Sequence, residues 1–200
     1  GEQQFVGAFK HPAGLAGAID DLRFQNLSVE DGLSQNMVNC MLRDRNGFMW
    51  FGTEEGLNRY DGYDFKVYRH CRYRNDCLGH DRINCLVEDK DGTFWIGTNG
   101  GGLDHFDAVG ERFSHFRSRS GDGRSLSNDT VWAILPAKDG VFWIGTQNGL
   151  NRFDSRQGIF HRYMYAPERS DLNSRNTIFA LESDPAGVIY TPVFSEYTLS

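Results

Sequence analysis

A six-residue motif occurs three times in this 200-residue chain and constrains its fold more than any other feature. The copies read FMWFGT at 48–53, TFWIGT at 93–98 and VFWIGT at 141–146. Their tryptophans lie 45 and 48 residues apart, and each copy stands between an Asn-Gly or Asp-Gly pair and a Gly-Leu pair. A fixed period in this range is typical of one supersecondary unit used repeatedly.

Each unit contains four short segments rich in β-branched and aromatic residues, separated by Gly, Asn and Asp. This pattern predicts strands joined by tight turns, because Asn-Gly and Asp-Gly supply the positive φ angles that a hairpin needs. Four antiparallel strands in about 45 residues describe a β-propeller blade. The predicted fold is therefore all-β, a β-propeller. A β-sandwich is the alternative, but it does not need so literal a repeat.

The second strand of each unit is apolar on both faces, as expected for a sheet packed between two neighbouring sheets. The repeated tryptophans are therefore expected to be buried between blades at equivalent positions; they are Trp50, Trp95 and Trp143. The glycine two residues later is expected to permit close approach of a neighbouring backbone. It recurs as Gly52, Gly97 and Gly145.

The repeats divide the chain into a leader and successive blades. Residues 1–21 match no repeat and are predicted to be a mobile leader, and residues 22–34 an unpaired outer strand (24–28) with its loop. Full blades are predicted at 35–70, 80–117 and 128–163, with an incomplete or degenerate fourth at 175–200.

The fourth unit leaves two interpretations open. In the first, these three and a half blades belong to a larger propeller of about seven blades, which closes by pairing the outer strand at 24–28 with C-terminal strands. In the second, residues 188–199 form two degenerate strands and the ring closes with four blades.

Composition and motifs argue against several functions. The net charge of −6 disfavours nucleic acid and anionic membrane surfaces as partners. Residues 88–92 resemble the start of a calcium loop but lack its twelfth-position ligand, and the histidines show no zinc-ligand spacing. No nucleophile, phosphate-loop or dinucleotide motif occurs. We therefore expect no metal, cofactor or catalytic residue in this segment.

The four cysteines form two pairs by position. Cys40 and Cys85 occupy one repeat position, held by alanine in the other copies, and are expected to be small buried residues. Cys71 and Cys77 bracket five residues between the first two blades. They can form a local disulfide in an oxidising compartment or remain two solvent-facing thiols, and the sequence leaves both open.

Propeller topology predicts where a ligand would bind. The loops that lead into first strands and those that join second to third strands share one face, here called the loop face, and polar loops on a rigid scaffold are the usual binding surface. Its candidate ligand-binding residues are Glu54, Glu55, Asp81, Arg82, Asn99, Asp129, Gln147 and Asn148, with Asn36 and Asn176 beside them. On the first strands, Trp132 and Phe179 replace Asn39 and Asn84, which we interpret as packing variation.

The sequence resembles the two-component regulator propeller repeat. The matching stretches are 30–34 (EDGLS), 91–103 (DGTFWIGTNGGGL) and 149–154 (GLNRFD), within a resemblance from Leu22 to Tyr190. The resemblance implies the extracytoplasmic sensing part of a bacterial membrane-bound regulator. In such proteins an immunoglobulin-like domain, a membrane helix and a cytoplasmic output follow, usually a histidine kinase and sometimes a diguanylate cyclase. Several of them sense glycans.

The favoured hypothesis is a periplasmic, non-catalytic ligand-sensing module of a two-component phosphorelay receptor. Its expected partners are a small molecule or an oligosaccharide and a second copy in a homodimer, with membrane contact only through downstream segments. Two alternatives are a propeller enzyme acting on glycans and a non-catalytic protein-interaction scaffold. An enzyme should carry repeat-breaking acid, base or metal ligands at the channel mouth, and the sequence contains no such cluster.

Overall fold

A computed structural model describes residues 26–164 and 176–192, and within them almost every element is a strand. Three four-stranded antiparallel sheets and one two-stranded hairpin form an all-β propeller, as the repeat predicts. The helix in these ranges is a three-residue 3-10 turn at Val29–Asp31. No helix among the described residues has the length and apolar character to cross a membrane. The predicted leader lies outside them.

Each blade takes its four strands in chain order. Blade 1 comprises β1 (Val38–Arg43), β2 (Met49–Thr53), β3 (Gly56–Tyr60) and β4 (Phe65–Tyr68). Blade 2 comprises β5 (Ile83–Glu88), β6 (Phe94–Thr98), β7 (Leu103–Asp107) and β8 (Arg112–Phe116). Blade 3 comprises β9 (Val131–Pro136), β10 (Val141–Thr146), β11 (Gly149–Asp154) and β12 (Ile159–Tyr163). The hairpin pairs β13 (Glu182–Ser183) with β14 (Ile189–Tyr190).

The turns between first and second strands form where Asn-Gly and Asp-Gly predict them. Gly47 and Gly92 adopt φ angles of 92° and 88°, which residues with a side chain rarely take. In blade 1, Asp44 closes the turn, because its Oδ1 accepts hydrogen bonds from the backbone N–H groups of Asn46 and Phe48. These hairpins set the register that brings the motif tryptophans to equivalent positions.

The apolar core lies between blades. Trp50 packs against Phe94 of blade 2 with ring centroids 4.7 Å apart, and Trp95 packs against Phe142 of blade 3 at 5.2 Å. The indole N–H of Trp50 donates to the Asp44 carboxylate at 2.8 Å, so even the polar atom of this buried ring is satisfied. Both tryptophans are buried, as predicted.

Trp143 is only half-buried, so the prediction of equivalent burial is wrong for this copy. Ala137 stands where the other blades have the carboxylate that accepts the indole hydrogen, and the ring contacts Tyr163 of its own blade at 5.7 Å. Burial at this position requires a following blade, and the described part of the fourth unit supplies only a two-stranded hairpin.

The glycine after each tryptophan does mark a close approach between blades. A Cβ added to Gly52 would lie 2.6 Å from both Cys40 Sγ and Ile83 Cγ2, the latter on the next blade. The approaching atoms here are side chains, which corrects the expectation of a neighbouring backbone. Only at Gly145 does a backbone atom, the Ile178 carbonyl oxygen at 2.6 Å, come that near.

Two predicted strands take other conformations. Residues 26–28 of the predicted outer strand are not in a strand, and Ser28 instead caps the short helix by accepting a hydrogen bond from Glu30 N. The segment 178–181, predicted as the first strand of unit four, is also irregular, although Ile178 N donates to Thr146 O at 2.9 Å. A single backbone hydrogen bond does not form a strand, because strand pairing needs a series of such bonds along a neighbouring strand. Residues 24–25 and 193–200 lie outside the described ranges.

Candidate functional site

The loop face is assembled by hydrogen bonds between neighbouring blades. Asn99, at the end of β6, donates its backbone N–H to Arg82 O at 3.0 Å, and Gly100 donates to Asp129 O at 3.0 Å. The turn after the second strand of blade 2 is thereby tied to the residues that lead into the first strands of blades 2 and 3, and in blade 3 Gln147 N donates to Thr130 O at 3.0 Å in the same way. The two classes of loop lie at one end of the blades, as the topology predicts.

Three of the polar residues on this face hold backbone in place. Their side-chain oxygens accept hydrogen bonds from the chain that arrives from the preceding blade or loop. The pairs are Asp81 with His70 N at 2.7 Å, Asp129 with Ser118 N at 2.6 Å and Asn36 with Val29 N at 3.0 Å. These three side chains therefore stabilise the loop conformations, because the backbone N–H groups of the loops need acceptors.

Arg82 is a loop-face residue with unused hydrogen-bonding capacity. Its terminal nitrogen lies 3.3 Å from Glu54 Oε1, and both side chains are partly exposed, so this ion pair contributes little stability. Its Nε is buried and has no hydrogen-bond partner among the described residues. Glu55 and Gln147 are exposed nearby, while Asn99 and Asn148 are half-buried. Asn176 is buried.

The repeat pattern predicts only packing variation at Trp132, but this residue carries the second N–H donor without a partner among the described residues. Asn39 and Asn84, at the same position on β1 and β5, each donate their amide to a carbonyl of the next first strand at 2.9 Å. Trp132 cannot repeat that bond, and its buried Nε1 has no partner in the described ranges. Its ring lies 5.1 Å from that of Phe179, which is 44 % exposed. The substitution was visible in the repeat alignment, whereas the unsatisfied N–H was not.

The chemistry available at the loop face is that of binding. Two buried N–H groups have no acceptor among the described residues, and the Trp132–Phe179 ring pair provides apolar area. Among the described residues no cluster of three or more His, Cys, Asp or Glu side chains is placed to hold a metal ion. A ligand that combines a ring with oxygen acceptors matches this set of groups.

The loop between blades 1 and 2 is closed by a disulfide. The sulfurs of Cys71 and Cys77 are bonded, with their Cα atoms 5.6 Å apart, which is the bonded alternative of the two that the sequence leaves open. The other two cysteines are free thiols. Both are half-buried rather than fully buried and pack against the apolar core between blades, so the prediction of small buried residues holds only in part. Burial of the sulfur raises the pKa of Cys40 to about 12 and raises that of Cys85 as well.

A cleft of about 270 Å³ lies between blades 1 and 2, at the end opposite the loop face. Phe48 and Arg59 line it and contact each other, with the guanidinium 4.8 Å from the ring centre. The Asp44 carboxylate beside them is already bonded to Trp50 and to its own turn. Because its carboxylate is already bonded within the fold, this cleft is a weaker candidate than the loop face.

Three segments of the chain match the family described as two component regulator propeller, at residues 32–55, 77–100 and 125–148. Each match runs from the loop before a first strand through the Trp-containing second strand. The three blades are therefore two-component regulator propeller repeats. A segment of 46 residues is also 46 % identical to Histidine kinase P4 of Formosa agariphila. The aligned segment makes up 23 % of this chain and 3 % of that protein.

Solved structures share the fold. The extracellular domain of the putative hybrid two component system BT3049 from B. thetaiotaomicron aligns over 84 % of this chain with 26 % identity and a TM-score of 0.74. The extracellular domain of BT4673, from the same organism, aligns over 86 % with 22 % identity and a TM-score of 0.69. The chain spans 23 % and 25 % of those two structures.

Proposed function

We propose that this chain is part of the extracytoplasmic ligand-sensing region of a bacterial two-component receptor and has no catalytic activity of its own. The main support for this proposal is the set of three regulator propeller repeats. The likeness to the extracellular domain of a putative hybrid two component system supports it further, as does the segment similar to a histidine kinase. A disulfide in an exposed loop fits an oxidising, periplasmic compartment.

The ligand of this module binds at the loop face, beside the first strands. Arg82 and Trp132 each retain a buried N–H without an acceptor in the described residues, and leaving such a group unsatisfied costs about 1–3 kcal/mol. A ligand oxygen placed at either donor removes that cost. The Trp132 and Phe179 rings suit the apolar face of a ring-shaped ligand. A small hydroxylated molecule or an oligosaccharide has both features.

Binding must favour one of two receptor states in order to signal. In this chain the ligand would act on loops that are hydrogen-bonded from blade to blade, so it changes the packing of neighbouring blades. A homodimer of the sensing region carries that change to the output, a histidine kinase or a diguanylate cyclase in the complete protein.

The test is a binding screen on the complete extracytoplasmic region, using a panel of neutral and acidic oligosaccharides and calorimetric titration of any that bind. Arg82→Ala is expected to weaken binding about tenfold, the effect of losing one hydrogen bond to a charged group. Arg112→Ala is the matched control, because Arg112 is exposed at the start of β8, at the opposite end of the blade. Turnover of a bound sugar would favour an enzyme. Binding that survives substitution of Arg82 and Trp132 alike would contradict this site.

A further inference from the structure

Blade 2 differs from its neighbours at one buried cross-strand pair. The third strand carries a buried Asn58 in blade 1 and a buried Asn151 in blade 3. Opposite Asn58, on the fourth strand, lies Val67. In blade 2 the same pair of positions holds Asp104 and His115, which face each other between β7 and β8. An uncharged pair in one blade has thus become a pair of titratable groups in the next.

Both nitrogens of His115 point at hydrogen-bond acceptors. Its Nδ1 lies 2.6 Å from Asp104 Oδ1, and its Nε2 lies 2.9 Å from the backbone carbonyl oxygen of Asn75. The other carboxylate oxygen, Oδ2, accepts the backbone N–H of Gly79 at 2.6 Å. Asp104 is fully buried and His115 is 16 % exposed at its side chain. Water therefore contributes little to satisfying these atoms.

The contacts fix how many protons the pair must hold. A carbonyl oxygen only accepts, so Nε2 must carry a hydrogen, and the contact between Nδ1 and Oδ1 needs one hydrogen as well. An imidazolium beside a carboxylate meets both requirements, and so does a neutral imidazole beside a carboxylic acid. If the pair loses one proton to solvent, two lone pairs face each other, either at Asp104 or at Asn75, and one of the two hydrogen bonds is lost.

Asn75 lies inside the ring that the Cys71–Cys77 disulfide closes, here called the disulfide loop (residues 71–77). The loop leads directly into Asp81 and Arg82 of the loop face. We propose that His115 and Asp104 form a proton-dependent latch that holds the disulfide loop against blade 2 and releases it when the pair is deprotonated. The latch makes the order of the loop face depend on external pH.

The charges around the pair favour retention of its proton. The hydrogen bond that His115 donates to the Asp104 carboxylate raises the pKa of His115, and burial raises the pKa of Asp104. Arg117, at the end of β8, opposes the first effect through its positive charge. In the loop, Arg74 and Asp76 pair with each other. Because the folded pKa of His115 exceeds its ordinary value near ~6.5, the latch is fully formed below that pH and is lost as pH rises through the folded pKa.

The test is hydrogen–deuterium exchange of peptides covering the disulfide loop, measured by mass spectrometry on the complete extracytoplasmic region from about pH 6 to about pH 10. Wild type is compared with His115→Gln at each pH, so that the intrinsic pH dependence of exchange cancels. The double variant Asp104→Asn with His115→Val carries the residues of blade 1 at both positions and guards against misfolding caused by an unpaired buried carboxylate. His161→Gln removes an exposed histidine of β12 as a control.

Near pH 6 the loop should exchange about tenfold faster in both latch variants than in wild type, as expected for loss of one charge-assisted hydrogen bond. This ratio should fall toward one in a single transition as pH rises, while the control follows wild type throughout. Equal rates near pH 6 would overturn the latch. A ratio that stays constant across the range would overturn its dependence on a proton.

Discussion

Replacing Trp50 with alanine should remove more stability than the same change at Trp143, although the two residues occupy the same repeat position. Trp50 is 1 % exposed and packs between blades against Phe94 and Phe106, with centroids 4.7 and 5.9 Å away. Truncation of a large buried aromatic costs about 3–5 kcal/mol. The Asp44 oxygen that accepts the indole hydrogen at 2.8 Å also loses its donor. We therefore expect a loss of about 5 kcal/mol at Trp50.

Trp143→Ala is the matched control and should cost about 2 kcal/mol, because the ring is half-buried and Ala137 offers its indole no carboxylate. Trp50→Phe separates the two contributions. It keeps most of the apolar contact and deletes only the hydrogen bond to Asp44, at an expected cost of about 1–3 kcal/mol.

The assay is urea unfolding of the complete propeller followed by tryptophan fluorescence and by circular dichroism, with the free energy taken only where both probes coincide. Trp50→Ala should be the most destabilised of the three variants, with Trp143→Ala and Trp50→Phe each losing about 2 kcal/mol. Equal costs at positions 50 and 143 would refute the argument that burial between complete blades, rather than the repeat position itself, sets the contribution of these tryptophans.

Two further predictions concern the packing between blades and the cysteines. A thiol reagent should label no cysteine of the folded protein, two after unfolding without reductant (Cys40 and Cys85) and four after reduction, because burial raises the pKa of Cys40 to about 12; labelling of four without reductant would contradict the disulfide. Gly52→Ala should lower stability by about 1–3 kcal/mol in the same urea assay, because the new methyl overlaps Cys40 and Ile83. No change in stability would mean that the blades separate at no cost.

The fold was predictable because the same turn residues and the same apolar strand pattern recur in every repeat. Asn46-Gly47 and its counterparts encode the turn, and the apolar second strand encodes a sheet with neighbours on both sides. The exceptions are residues whose burial or strand pairing depends on an adjacent blade, because the motif itself does not specify that blade. Trp143 and the segment 178–181 both depend on contacts with a fourth blade that the repeat only begins.

The site was less predictable, because loop polarity does not reveal which groups are already bonded. Asp81 and Asp129 match the composition of a binding surface, yet their carboxylates hold backbone from the preceding blade. The unpaired Nε1 of Trp132 depends on the loss of an amide bond seen in the other copies. Asp104 and His115 lie eleven residues apart in sequence, and only the register of β7 with β8 brings them together.

The central claim is that this propeller is a sensing module, so the most direct measurement is the output of the complete receptor. The output of the full-length protein in lipid vesicles should change on addition of an oligosaccharide that binds the extracytoplasmic region. It is measured as autophosphorylation with labelled ATP for a histidine kinase output, or as cyclic di-GMP formation from GTP for a diguanylate cyclase output. The same protein with Arg82→Ala should require about tenfold more of that sugar, while Arg112→Ala should respond as wild type does. An output that is indifferent to a bound sugar, or a response that Arg82→Ala leaves unchanged, would contradict the account.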